Sequence, residues 1–220
     1  MKRYGMLIMV ILLAAMLSGC SGSADTFVMK SYISGAEEIK EISIDVRDRE
    51  IEVSLSEDAY VHIDYWESEK DYYHIVLSAD HSLSITTADK KGWTDYIGRK
   101  SSTESRTISV RIPNTLLSTI TLSTTNEDIR ISSLIVKDTI SISNNGGNIT
   151  FDEVGVGNAL LLKAKNGDIY GAVVGSADDF SIECNVKKGK SNITSVDRSG
   201  KKTLKVSNNH GDVEIAFVLQ

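Results

Sequence analysis

The stretch Ile120-Thr121-Leu122-Ser123-Thr124-Thr125-Asn126-Glu127-Asp128-Ile129 returns 20 residues later as Ile140-Ser141-Ile142-Ser143-Asn144-Asn145-Gly146-Gly147-Asn148-Ile149. It returns again as Leu160-Leu161-Leu162-Lys163-Ala164-Lys165-Asn166-Gly167-Asp168-Ile169, and Phe180/Ile182 keeps the spacing for a fourth start. Every unit opens on an apolar pair, reaches an Asp/Asn-Ile step nine residues on, and closes on a third apolar position at Leu134, Val154 or Val174. Self-similarity at such a period marks stacked units, none of which buries its apolar face until a neighbour covers it. The predicted fold is all-β, a β-helix or β-solenoid of 20-residue coils.

The same spacing reaches outward from this core. Ile42 and Ile44 precede Ile51 as Ile120 and Leu122 precede Ile129, and Leu204 and Val206 precede Val213 in the same way. Between them the apolar residues alternate in short runs: Val61/Ile63/Tyr65, Tyr73/Ile75/Leu77, Leu83/Ile85 and Ile108/Val110/Ile112. Period-two alternation broken by polar clusters is the signal of strands with one buried face. Asn and Gly crowd the turn before each Asp/Asn-Ile step, where a tight reversal calls for residues that tolerate positive φ. The pattern predicts an irregular insertion from about Tyr60 to Ser105. A second break, at Gly189, predicts an enlarged loop over 186–199.

The N-terminus carries a targeting signal. Met1-Lys2-Arg3 is a short basic region, Met6 to Leu17 is apolar, and Leu17-Ser18-Gly19-Cys20 closes the segment with small residues before a cysteine. A short apolar stretch with a small-residue cleavage site reads as an export signal; a membrane span needs about 20 apolar residues. Leu-Ser-Gly-Cys resembles the bacterial lipoprotein signal, which implies a diacylglyceryl thioether on Cys20 and a mature chain that begins there. The expected organisation is a signal peptide at 1–19, a flexible tether at 20–36 and one β-repeat domain at 37–220. Loss of Lys2 and Arg3 leaves 22 basic against 30 acidic residues, a formal charge of −8. An acidic domain is a poor ligand for nucleic acid. The second cysteine, Cys184, has no disulfide partner and is expected to pack as a small apolar group.

Ile108-Ser109-Val110-Arg111-Ile112-Pro113, Leu117, Ile120-Thr121-Leu122 and the serial Asp/Asn-Ile steps resemble the bacterial "putative adhesin" β-repeat family of uncharacterised exported domains. That resemblance implies a right-handed β-helix-like fold at the bacterial cell envelope. It supplies no catalytic residue, and some members are associated with envelope-stress responses. It points to a non-catalytic lipoprotein, an interaction or scaffold module anchored to the membrane by its lipid, with an envelope protein or a glycan as partner. The competing expectation is a small β-helix hydrolase or lyase acting on cell-wall carbohydrate. Such an enzyme needs clustered acids and bases on one face, whereas Arg130, Lys137, Lys163 and Lys187 stand at different offsets of the repeat.

No cofactor or metal site is expected. Asp128, Asn148 and Asp168 align in one column, but each turn offers a single acid and the Gly-Gly-x-Gly-x-Asp calcium signature is absent; capping of the turns is the expected use. His62, His74 and His81 fit no zinc spacing. Both tryptophans and five tyrosines fall between residues 60 and 96. Aromatic side chains at an exposed edge stack on sugars or anchor a protein, so Trp66, Tyr72, Tyr73, Trp93 and Tyr96 are the candidate partner-binding residues.

Overall fold

The structure, a computed structural model, describes residues 26–35, 38–90, 104–113, 117–196 and 200–219. The first strands are β1 (Val28–Ile33), β2 (Glu41–Asp45), β3 (Glu50–Leu55), β4 (His62–Glu67), β5 (Asp71–Leu77) and β6 (Ser82–Asp89). Next come β7 (Thr107–Ile112), β8 (Thr119–Thr124), β9 (Ile129–Ile135), β10 (Thr139–Asn144) and β11 (Ile149–Gly155). The chain ends with β12 (Ala159–Asn166), β13 (Ile169–Val174), β14 (Phe180–Lys188), β15 (Lys202–His210) and β16 (Val213–Val218).

These strands form two eight-stranded sheets, which do not close into a barrel. Sheet one runs β1-β4-β7-β3-β9-β11-β13-β16 and sheet two runs β14-β15-β12-β10-β8-β2-β6-β5. Each 20-residue unit gives its first strand to sheet two and its second to sheet one. Successive units stack in parallel register, Ile140 on Ile120 and Leu160, Ile149 on Ile129 and Ile169. The inward residues of both sheets make one core, in which Ile120, Ile140, Leu160, Ile129, Ile149 and Ile169 have no exposed surface. Burying one such side chain stabilises the fold by roughly 1.5–3 kcal/mol. Residues between them, such as Thr121 and Ser141, turn outward and are half-buried.

Stack order departs from chain order at both ends. Among the described residues the coils follow one another as β6/β7, β2/β3, β8/β9, β10/β11, β12/β13 and β15/β16. The expected irregular insertion at 60–105 therefore contains three regular strands, and β6 with β7 makes a coil laid against the first one. Its connections are antiparallel, β4 on β7 and β5 on β6, so it carries no 20-residue signature. At the other end Phe180/Ile182 does not follow Leu160/Leu162. Leu204 takes that place, with Ile182 outside it on β14.

Three smaller corrections concern single segments. Strand β13 is one residue shorter than β11 across a register shift, so Val173, and not Val174, faces Val154 in the core. The described part of the loop expected over 186–199, residues 186–196, folds back on the stack. Strand β14 continues to Lys188, and the residues after it close the sheet edges. Ile182 and Val196 exchange backbone hydrogen bonds at 3.0 and 2.9 Å. The Asn192 amide imitates a strand, donating to the Ile215 carbonyl at 3.0 Å and accepting the Ile215 N–H at 2.9 Å. Lastly, the tether expected at 20–36 contains a strand, β1, which pairs antiparallel with β4.

Candidate functional site

Among the described residues, the aromatic cluster of the sequence does not become one patch. Strand β4 lies in sheet one and β5 in sheet two, so the short connection between them carries neighbouring aromatics to opposite faces of the molecule. Trp66 points outward from sheet one and Tyr72 outward from sheet two, where its ring meets His74 edge-on at 5.7 Å beneath the Lys90 ammonium. Tyr73 faces the interior and is only 7% exposed, which removes it as a partner-binding residue. Its hydroxyl accepts a hydrogen bond from Arg49, whose guanidinium also pairs with Asp71 in the core. Trp93, Tyr96 and Cys20 lie outside the described residues.

Around Trp66 the outer face of sheet one forms a cleft of about 290 Å³ lined by Met29, Glu52, Asp64, Trp66, Thr107 and Ser109. Four strands build it. Met29 of β1 stands beside Trp66, while Asp64 of β4, Ser109 of β7 and Glu52 of β3 line up in cross-strand register. Ser31 Oγ donates to Asp64 at 2.5 Å and Arg111 to its other oxygen at 2.8 Å. These two contacts, the serine first, hold the Asp64 carboxyl below its ordinary pKa and keep it ionised. Ser109 Oγ lies 3.5 Å from Glu52 and Thr107 Oγ1 lies 3.3 Å from Glu50. An aromatic ring flanked by carboxylates and hydroxyls on a rigid surface offers a stacking plane with hydrogen-bond acceptors at its margin.

The sequence singled out Trp66 but not its neighbours. Alternation along β4 was enough to place Asp64 on the same face as Trp66. That β1 and β7 stand beside β4, with β3 beyond β7, was not legible, because the antiparallel pairing of β4 leaves no periodic trace.

The column Asp128/Asn148/Asp168 runs as a ladder along the turns. Asp128 Oδ1 accepts the N–H of Asn148 at 2.9 Å, Asn148 Oδ1 that of Asp168 at 2.9 Å, and Asp168 Oδ1 that of Asp212 at 2.7 Å. Their side-chain oxygens thus cap the next coil. His62 binds Asp58 at 2.9 Å, and the Asp58 carboxyl, held first by the Tyr60 N–H and then by His62, is lowered to about 2. His81 sits in a turn at φ 68° and His74 is exposed on sheet two. Among the described residues no group of three His, Cys, Asp or Glu side chains is placed to hold a metal ion.

Residues 39–176 match the Toastrack DUF4097 family, well over half of the chain. The chain belongs to that family. No curated protein sequence matches it. Among solved structures, a "putative cell adhesion protein" from Clostridium sporogenes ATCC 15579 is 11% identical, with 87% of this chain and 100% of that one covered and a TM-score of 0.55. That likeness shows the fold. A "putative adhesin" from Bacteroides fragilis NCTC 9343 is 12% identical over 89% of this chain and 98% of its own, with a TM-score of 0.35. A "putative lipid binding protein" from Parabacteroides distasonis ATCC 8503 is 11% identical over 84% and 96%, with a TM-score of 0.27. The resemblance carried by Ile108–Pro113 and the Asp/Asn-Ile steps is thereby borne out, and the Toastrack match begins after β1.

Proposed function

We propose that this Toastrack chain is an exported, lipid-anchored, non-catalytic envelope protein whose rigid, right-handed coil stack presents the Trp66 cleft to a glycan. The hand is the one favoured by parallel crossovers in general. The observation that carries the reading is Trp66 itself, set between the ionised Asp64 carboxylate, Glu52 and the hydroxyls of Thr107 and Ser109. A Trp ring covers the apolar face of a sugar while flanking carboxylates accept its hydroxyl protons, and a stack of paired strands holds both without cost at the moment of binding. The Leu17-Ser18-Gly19-Cys20 signal supports anchoring, since two acyl chains at about 0.8 kcal/mol per buried CH₂ hold a protein against salt.

Two measurements test the reading separately. The Cys20→Ser chain is expected to leave the membrane fraction or stay unprocessed, and wild-type protein that washes off in high salt refutes the anchor. Titration with soluble cell-wall saccharides is expected to perturb tryptophan emission in wild type and not in Trp66→Ala. Binding unchanged by that substitution refutes the cleft. Turnover of the saccharide, abolished by changing one carboxylate, refutes the non-catalytic assignment.

A further inference from the structure

Strand β1 adds little to the core, to which only Tyr32 packs. Five of its six residues are exposed, with Val28 at 57%, Met29 at 53% and Ile33 at 59%, and Tyr32 is only partly covered. It also stands outside the stretch shared with the Toastrack family, residues 39–176. Strand β1 covers the edge of β4, and among the described residues no strand pairs with the outer edge of β1 itself. At the far end of the stack, by contrast, both edges are closed, β14 by Val196 and β16 by the Asn192 amide. An unprotected edge with apolar side chains is a template for a further strand.

The pairing of β1 with β4 fixes which groups remain free. Ser34 donates its N–H to the Val61 carbonyl at 2.9 Å, next to the partners Ile33 and His62. In an antiparallel ladder the hydrogen-bonded residues alternate. Tyr32 and Lys30 therefore turn their backbone groups to β4, while Met29, Ser31 and Ile33 turn theirs to the open edge.

We infer that this edge pairs with β1 of a second copy of the chain, antiparallel about a two-fold axis through Ser31. In that register Met29 lies opposite Ile33 of the second copy, Ser31 opposite Ser31, and Lys30 opposite Tyr32. Two apolar pairs form on the face that carries the Trp66 cleft, and on the other face Lys30, held by Glu67 at 2.7 Å, comes to lie opposite Tyr32. Like charges never meet. The other symmetric register that pairs five residues of β1 and keeps the two outer faces on one side, centred on Lys30, sets two ammonium groups against each other and Met29 against Ser31, so it forms no apolar pair on the outer face. Self-complementarity of Met29–Ile33 about its central serine is what selects a second copy as the occupant. A dimer joined through one strand is expected to form in a concentration-dependent way.

The test uses the full chain with Cys184→Ser as background. Two Ser31→Cys residues would face each other in a hydrogen-bonded pair at a Cα separation of about 5.5 Å, inside the range a disulfide spans. Mild oxidation is expected to convert Ser31→Cys to a covalent dimer many-fold faster than Ser141→Cys, which lies on sheet two. Equal rates overturn the proposal. Ser31→Pro removes both the Ser31–Asp64 hydrogen bond and an N–H that points away from β4, whereas Ser31→Ala removes only the former. Ser31→Pro is therefore expected to abolish concentration-dependent dimerisation in sedimentation at a thermal midpoint equal to that of Ser31→Ala, which still dimerises. Dimers that survive Ser31→Pro, or a wild-type chain that stays monomeric at its highest soluble concentration, also overturn it.

Discussion

Asp168 and Asp212 stand 44 residues apart in the chain and 2.7 Å apart in space, the carboxylate of one accepting the backbone N–H of the other. The same contact joins Asp128 to Asn148 and Asn148 to Asp168 at the regular step of 20. One hydrogen bond therefore reports both the repeat and the place where the chain leaves it. Because Asn148 serves in the middle of the ladder, Asp168→Asn should keep the acceptor and leave stability nearly unchanged. Asp168→Ala leaves the Asp212 N–H without its partner and should cost about 1–2 kcal/mol in chemical denaturation. Equal losses for the two variants would mean that charge, and not the acceptor, matters.

Ile142 lies between Leu122 and Leu162 in the stack and is 1% exposed. Ile142→Ala should lower stability by about 2–5 kcal/mol. Ser141→Ala, one residue earlier on the outer face, should change little. Urea midpoints compare the two directly, and a serine change as harmful as the isoleucine change would sink the inward-outward assignment.

Phe151 and Gly171 are neighbours in register, and a Cβ on Gly171 would run into the Phe151 ring. Gly171→Ala should therefore destabilise by about 1–3 kcal/mol through overpacking. Combined with Phe151→Leu the loss should be smaller than the sum of the two single losses, which a double-mutant cycle reads. Strict additivity would place the cost elsewhere.

Burial, opposed by the Arg49 guanidinium, raises the Tyr73 hydroxyl from 10.0 to about 12. The fold thus prefers the neutral phenol. Its contribution is complete below pH 10 and is lost as pH climbs toward 12, at roughly 1.4 kcal/mol per unit of mismatch. Wild type should lose stability over that window more steeply than Tyr73→Phe. Parallel curves would show that the hydroxyl titrates alike in the folded and unfolded chain.

What could be read in advance follows from what repeats. The columns at Ile120, Ile140 and Leu160 were legible because parallel stacking gives every coil the same length. Val174 was misplaced because β13 lacks one residue, an omission that spacing alone cannot assign to a side of the strand. Phe180 kept the period yet sits on the outermost strand, since periodicity records spacing and not which neighbour a strand selects. Tyr73 looked like its aromatic neighbours, but alternation turned it inward against Arg49 and Asp71. Trp66 was found by composition, while Met29, Thr107 and Ser109 reached it through pairings formed across distant parts of the chain.

Interleaving at the two ends limits how such a protein can change length. Strand β14 is made before β15 yet lies outside it, so a chain stopped before Lys202 would lack the strand on which β14 rests. Strand β6 likewise comes late to a place beside β2, the oldest strand of its sheet. A simple array of units gains or sheds them at its tips. Here the tips are interleaved with the body, and only the middle, from β8 to β13, follows chain order coil by coil. Growth in this architecture is intercalary, like that of a grass blade and unlike that of a crystal.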